Sequence, residues 1–222
     1  MCKFYSAIVM KNGDILHDVH LSSHEDIIDL FNLKDDSIRD NFIRVEYTPD
    51  ETSDLPYIEK YKLRVDEGSI PDWFEEHKEY VEQRLRDIVT KRIITSDQKF
   101  LTGGLYVVKD CHIDRMKCAV VVYMQNSQVN VMWGNSQVNV MRGNSQVNEM
   151  RENSQVNEMW GNSQVNEMRG NSQVNEMWGN SQVNVMRGNS QVNEMRGNSQ
   201  VNEMRENSRV KRHNSKKSLP GK

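Results

Sequence analysis

The chain has 222 residues, 36% of them apolar and 27% charged, against the roughly 45–50% apolar content of ordinary globular domains. Leu, Ile, Val and Phe together number 51, while Ala occurs only twice and Met thirteen times. That excludes an Ala/Leu-rich helical bundle and a conventional enzyme core spanning the whole length. The net charge of −3 is a cancellation: residues 1–101 carry 14 basic and 22 acidic groups, and residues 207–222 carry six basic and no acidic ones.

No apolar run approaches the roughly 18 residues of a membrane-spanning helix, and no charged-then-apolar leader opens the chain, so neither membrane insertion nor secretion is expected. Three cysteines, Cys2, Cys111 and Cys118, suit a reducing compartment better than a disulfide framework.

Phe4 to Met10 reads as a strand, Asn12-Gly13 as a hairpin turn, and Asp14 to His20 as the partner strand. Ser22 or Ser23 can cap a short helix running to Leu33, with Glu25 and Asp26 favourable in its first turn. Phe42 to Thr48 and Tyr61 to Asp66 alternate apolar and polar residues as strands do. Pro71 opens the clearest helix, expected to reach about Ile94, with Trp73, Phe74, Val81, Leu85, Ile88, Val89 and Ile93 near helical spacing. The order ββαββα gives a small α+β domain over residues 1–101, one sheet backed by the long helix.

Three units then foreshadow a repeat. Thr102 to Lys109 (TGGLYVVK), Asp110 to Lys117 (DCHIDRMK) and Cys118 to Gln125 (CAVVVYMQ) are eight residues long. They place Leu105, Ile113 and Val121 at one position, and Val108, Met116 and Met124 three residues later. Gly103, Cys111 and Ala119 hold a third, small position. The two downstream cysteines are thereby expected to be small buried residues of a ladder.

From Asn126 to Glu206 the chain is nine consecutive nonapeptides without insertion or deletion, Asn-Ser-Gln-Val-Asn-(Glu/Val)-Met-(Arg/Trp)-(Gly/Glu). On an α-helix nine residues make about two and a half turns, which would throw equivalent residues onto opposite faces. Seven units also end in Gly, a poor residue in helix interiors. A β-solenoid instead stacks equivalent residues directly. Val at position 4 and Met at position 7 become inward ladders, Ser at position 2 points inward, Gly-Asn turns the corner, and the Asn amides can bond from rung to rung. Nine residues alone enclose too little interior, so two repeats per coil are expected. The solenoid should cover residues 102–206, followed by a basic, disordered tail over 207–222.

Candidate sites are few. The array holds neither the Asp of calcium-binding nonapeptide solenoids nor Thr for a flat Thr ladder. Outward Glu at position 6 with Arg or Trp at position 8 makes a mixed polar surface, on which Trp133, Trp160 and Trp178 either anchor a partner or cover the corner. Lys211, Arg212, Lys216 and Lys217 can contact phosphates. His17, His20 and His24 lie near Asp14, Asp18 and Asp26. Yet His17 and His20 are three apart on an expected strand and face opposite ways, so a metal site is not expected. Cys2 would become an N-terminal nucleophile if Met1 were removed, but Lys3-Phe4-Tyr5 follows it instead of a glycine-rich context. No phosphate loop, zinc spacing or serine-hydrolase elbow is present, and no cofactor is expected.

The segments KFYSAIVMKNGDILHD, SHEDIIDLF, FIRVEYTP, KLRVDEG, IPDWF and LTGGLYVV, followed by the NSQVNEMRG array, resemble a family associated with temperate phages and prophages. The likeness covers nearly the whole chain: a small N-terminal domain, then a short-repeat array. It implies a cytoplasmic protein of an infected or lysogenic bacterium and supplies no catalytic residues.

The leading expectation is a non-enzymatic binding or scaffold protein acting on a host or phage protein, for instance to modulate host defence. Nucleic-acid or nucleotide binding through the basic tail and the solenoid surface is a second class, and a hydrolase using Cys2 a third. Association between copies could use the ends or edges of the solenoid.

Overall fold

The computed structural model describes residues 5–34 and 41–214. It divides into two compact units, residues 1–93 and 94–222.

The first unit is the expected ββαββα arrangement. Strands β1 (Ser6–Met10), β2 (Ile15–Leu16), β3 (Phe42–Thr48) and β4 (Lys62–Val65) form an antiparallel sheet in the order β2-β1-β3-β4. Helix α1 (His24–Leu30) starts at Ser23, whose hydroxyl oxygen accepts the Asp26 N–H, with Glu25 and Asp26 in the first turn. It packs on β1, where Ile8, Ile27, Ile28 and Phe42 bury one cluster. Helix α2 (Asp72–Thr90) opens after Pro71 and buries Phe74, Val81, Leu85 and Val89, a single helical stripe. It packs on β3, so both helices cover the sheet rather than the long one alone. Between β3 and β4, Tyr61 donates its hydroxyl to the Leu55 carbonyl at 2.8 Å and closes the intervening loop.

The second unit is a parallel β-solenoid with two repeats per coil. Its rungs begin earlier than residue 102. Strand β5 (Ile93–Ile94) joins one sheet and β6 (Gln98–Thr102) the other, so Ile93 leaves the helix and the unit boundary falls at 93/94 rather than 101/102. In β6 only Leu101 is buried, which left no apolar alternation to read. The next rungs are β7 (Leu105–Lys109), β8 (His112–Lys117) and β9 (Val120–Gln125). The regular array follows as β10 (Gln128–Trp133), β11 (Gln137–Arg142), β12 (Gln146–Met150), β13 (Gln155–Met159) and β14 (Gln164–Met168). It continues as β15 (Gln173–Met177), β16 (Gln182–Met186), β17 (Gln191–Arg196) and β18 (Gln200–Met204). Strand β19 (Arg209–Asn214) pairs in parallel with β17, so the start of the basic segment is one more rung instead of tail. Its cue was there: Ser208 and Val210 keep positions 2 and 4, but the Lys and Arg residues around them mask the pattern.

Even-numbered strands from β6 to β18 form a seven-stranded sheet and odd-numbered strands from β5 to β19 an eight-stranded one. Strands two repeats apart pair in register, Val129 with Val147 and Met132 with Met150. The Val and Met ladders from Val129 to Val192 and Met132 to Met186 are fully buried. Two outward residues separate each Val from its Met, which a strictly alternating strand would not allow. The chain accommodates this at position 5, where the Asn drops out of the pairing register.

The small inward position is filled as expected by Cys111, Ala119 and the Ser residues. The Ser136 hydroxyl lies 2.6 Å from the Trp133 carbonyl and 3.0 Å from that of Met116. Ser145 repeats this with Arg142 at 2.7 Å and Met124 at 3.2 Å. At these two positions the hydroxyl ties the corner and meets the rung before it, whereas the buried hydroxyls of Ser154, Ser172, Ser181 and Ser190 have no hydrogen-bond partner.

The corners correct two expectations. Cys118 is exposed in the left-handed region at φ 52° rather than buried in a ladder. The eight-residue units turn on one such residue, Asp110 (φ 51°), Cys118 or Asn126 (φ 47°), which removes a residue from the corner and not from the strand. In the first short unit it is Tyr106, not Leu105, that pairs with Val121, because a register shift follows at Tyr106/Val107. In the nonapeptides, position 9 needs the left-handed conformation. A Cβ on Gly188 (φ 67°) would also stand 3.0 Å from the Gly170 backbone. Glu152 and Glu206 adopt φ 57° there, and their carboxylates accept the N–H of Gly134 (3.1 Å) and Gly188 (2.8 Å) one coil earlier.

Candidate functional site

With two repeats per coil, residues 18 apart in sequence become neighbours on one face, and each outward row acquires its own chemistry. Asparagines form amide ladders. At position 5, Asn148 donates to Asn130 at 2.8 Å, Asn166 to Asn148 at 3.0 Å and Asn184 to Asn166 at 2.9 Å. The opposite sheet repeats this from Asn157 to Asn193. Glutamines at position 3 brace the ladder: Gln146 donates to Asn148 within its own strand at 2.8 Å. A second pair of Asn ladders runs along the corners at position 1, with longer contacts of 3.3 Å about Asn171.

Beside these amides the two faces differ. On the even-numbered sheet, positions 6 and 8 form a charge zipper. Glu149 bridges Arg151 (2.6 Å) and Arg169 (3.1 Å), and Glu167 bridges Arg169 (2.8 Å) and Arg187 (2.8 Å). The hydrogen bond from Arg169, helped by the neighbouring arginines, holds the Glu167 carboxyl below its ordinary range. On the odd-numbered sheet, Trp160 and Trp178 stack with centroids 4.9 Å apart and planes 2° from parallel. Arg142 lies over the outer face of Trp160 at 5.2 Å and Arg196 over that of Trp178 at 4.3 Å. The indole N–H groups donate to Glu158 (2.8 Å) and Glu176 (3.0 Å). Each ring face is therefore covered by another ring or a guanidinium. Only indole edges reach solvent, so the pair is no open platform for a sugar ring or a nucleobase.

The expected site residues separate accordingly. Trp160 and Trp178 come together, while Trp133 sits on the other sheet with its ring edge-on to Phe100 at 5.9 Å. Sequence reading did not distinguish the three, although their spacing does: 18 residues separate Trp160 from Trp178 and 27 separate Trp133 from Trp160. Lys211 and Arg212 are exposed on β19. Cys2, Lys216 and Lys217 lie outside the described residues.

The three histidines are held apart. His17 Nδ1 meets the Tyr5 hydroxyl at 3.0 Å, the His20 N–H donates to the Asp18 carboxylate at 2.7 Å, and buried His24 bonds the Val45 carbonyl at 3.0 Å. Among the described residues no three His, Cys, Asp or Glu side chains converge on a common point. Burial, assisted by Arg92, pushes the His17 pKa down, and burial pushes the Tyr5 phenol up to about 12. Both rings are thus neutral near pH 7, with Tyr5 donating to His17. Cys111 is buried with its thiol pKa raised by desolvation, the opposite of a reactive nucleophile. Among the described residues no helix is long and apolar enough to cross a membrane.

No protein-family model, curated protein or solved structure matches the chain.

Proposed function

We propose that this is a non-enzymatic display scaffold, phage-encoded and acting in the bacterial cytoplasm, whose solenoid presents one outward pattern repeatedly to a host or phage protein. One observation carries the reading: outward Asn residues recur every 18 residues on both sheets, beside a run of Glu and Arg on one face and a Trp pair flanked by Arg on the other, on a stack whose interior is a fixed Val/Met core. A partner segment that matches one coil meets the same chemistry on the next, so weak contacts gain from effective concentration. The outward charges and rings are already paired along the stack, which suits a preorganised surface better than a reactive cleft.

The test is capture by the immobilised full-length chain from a bacterial lysate, beside a Glu158→Gln/Glu176→Gln variant that keeps an acceptor for each indole while removing two charges. A protein retained by the parent chain and weakened in the variant is the expected result. Retention of nucleic acid with steep salt dependence, lost on deleting residues 207–222, would favour the polyanion reading instead. Retention of nothing in either case would make the array an inert spacer and end the proposal.

A further inference from the structure

The C-terminal end of the solenoid presents two strand edges and a break in its own burial pattern. Every rung from β8 to β17 is hydrogen-bonded on both sides, whereas among the described residues β18 and β19 each have one partner strand. Met204 is 46% exposed although Met132 to Met186 at the same position are fully buried. Val201 and Val210 are half-exposed where the Val residues of the preceding rungs are fully buried. Together with Met195, Ser199, Gln200 and Asn202 they line a trough of about 370 Å³ in the end rung. An edge with apolar inward positions and unpaired backbone groups is a template for another strand.

The two edges differ in charge. The unit Asn198 to Glu206, which contains β18, carries Glu203, Arg205 and Glu206, and β19 carries Arg209, Lys211 and Arg212. We infer that this end binds a second copy of the chain, end to end about a two-fold axis parallel to the strands, so that β18 of each copy pairs antiparallel with β19 of the other. The alternative two-fold, perpendicular to the strands, would set β18 on β18 and β19 on β19, placing three cations opposite three cations. The charges choose the first.

The register follows from the inward positions. Setting Met204 opposite Val210 of the second copy puts Val201 opposite residue 213, which is in register with Met195. Residue 213 is a histidine, so the apolar contact across the junction is Met204 against Val210, made twice by the two-fold. That register puts Glu203 opposite Lys211 and Asn202 opposite Arg212 on the outer face. Arg205, just past the end of β18 and paired with Glu203 of its own copy, falls opposite Arg209. The complementary cross-strand pair is Glu203 with Lys211. The contact is isologous, so it closes at two copies and does not propagate. Residues 215–222 (SKKSLPGK) contain no Met, and Pro220 among them has no N–H to donate to a ladder.

This inference is independent of the scaffold's partner: a monomer that still captures a protein overturns only the self-association. The experiment is sedimentation velocity with native mass spectrometry on the full-length chain across a concentration series, on the parent, Lys211→Glu, Glu203→Lys and the double variant. A species of twice the 25.9 kDa chain mass is expected for the parent. Each single variant should weaken it about tenfold, because each sets like charges opposite one another at both symmetry-related positions. The double variant should return towards the parent affinity. Circular dichroism of each variant checks that the end rung is retained. A chain that stays monomeric, a dimer indifferent to Lys211→Glu, or a double variant no better than the singles would overturn the inference. So would a dimer that appears only when residues 215–222 are deleted, since that would make the chain's own segment the occupant.

Discussion

Asn166 and Asn171 sit five residues apart in the same array and belong to ladders of different strength. Asn166 is half-buried, donates to Asn148 at 3.0 Å and accepts from Asn184 at 2.9 Å. Its replacement by Ala deletes two inter-rung hydrogen bonds and leaves the Asn184 N–H short of a partner on a face where water enters only partly, while the Asn148 oxygen keeps the Gln146 donor. At about 1 kcal/mol net per bond, Asn166→Ala should cost about 2 kcal/mol. Asn171 is exposed on the corner, donates to Asn153 at 3.3 Å and accepts from Asn189 at 3.3 Å. Water replaces both contacts, so Asn171→Ala should cost roughly 0.5 kcal/mol or less. Repeat arrays lose stability by nearest-neighbour terms, so the loss should concentrate in the rungs beside the change. Urea unfolding followed by circular dichroism gives the total, and hydrogen exchange of the amides in β12 and β16 gives its location. Equal costs at the two sites, or a larger cost at Asn171, would refute the claim that the position-5 ladder couples the rungs.

Three further outcomes follow from the same geometry. The Ser172 hydroxyl is buried without a hydrogen-bond partner, and Ala119 already fills the equivalent position. Ser172→Ala should therefore be neutral or stabilising by up to about 1 kcal/mol, whereas Ser145→Ala, which loses its carbonyl contacts, should cost about 1 kcal/mol, both read by urea unfolding. Cys118 is exposed and Cys111 buried, so maleimide labelling with peptide mapping should modify Cys118 in the native state and Cys111 only on unfolding. Burial raises the Tyr5 phenol from 10.0 to about 12, so its contribution is complete below pH 10 and lost as pH climbs towards 12, on the order of 2–3 kcal/mol. Between those limits the parent should lose more stability than Tyr5→Phe. His17, with its pKa lowered, acts at the other end, where stability falls as pH drops below the unfolded value of about 6.5.

What the sequence made legible was whatever repeats or alternates. The Ser, Val and Met ladders, the two-repeat coil, the eight-residue units at Ile113 and Val121, and the capped helix at Ser23 all follow from spacing alone. The rung at Gln98–Thr102 is not legible because only Leu101 of its five residues is buried, nor is the rung at Arg209–Asn214, whose charges hide the Val210 position. A short unit drops a corner residue, so spacing alone groups Cys118 with the ladder, and only the backbone shows that Cys118 takes the left-handed turn. The surface was less legible than its letters suggest. The repeats alternate between two sheets, so Trp160 finds Trp178 eighteen residues away and never Arg169, nine away. The same parity sets Trp133 apart from the other two.

The central claim, that one coil is two nonapeptides, is tested most directly by disulfide trapping in a Cys2→Ser/Cys118→Ser background. Positions 160 and 178 lie on adjacent rungs about 4.8 Å apart, inside the Cα range of roughly 4.4–6.8 Å that a disulfide needs. Positions 160 and 169 lie on opposite sheets about 10 Å apart. Trp160→Cys/Trp178→Cys should oxidise to an intrachain disulfide, seen as the loss of two hydrogens in the intact mass. Trp160→Cys/Arg169→Cys should keep both thiols. Bridging of the second pair, or failure of the first, would contradict the 18-residue coil and every outward row built on it.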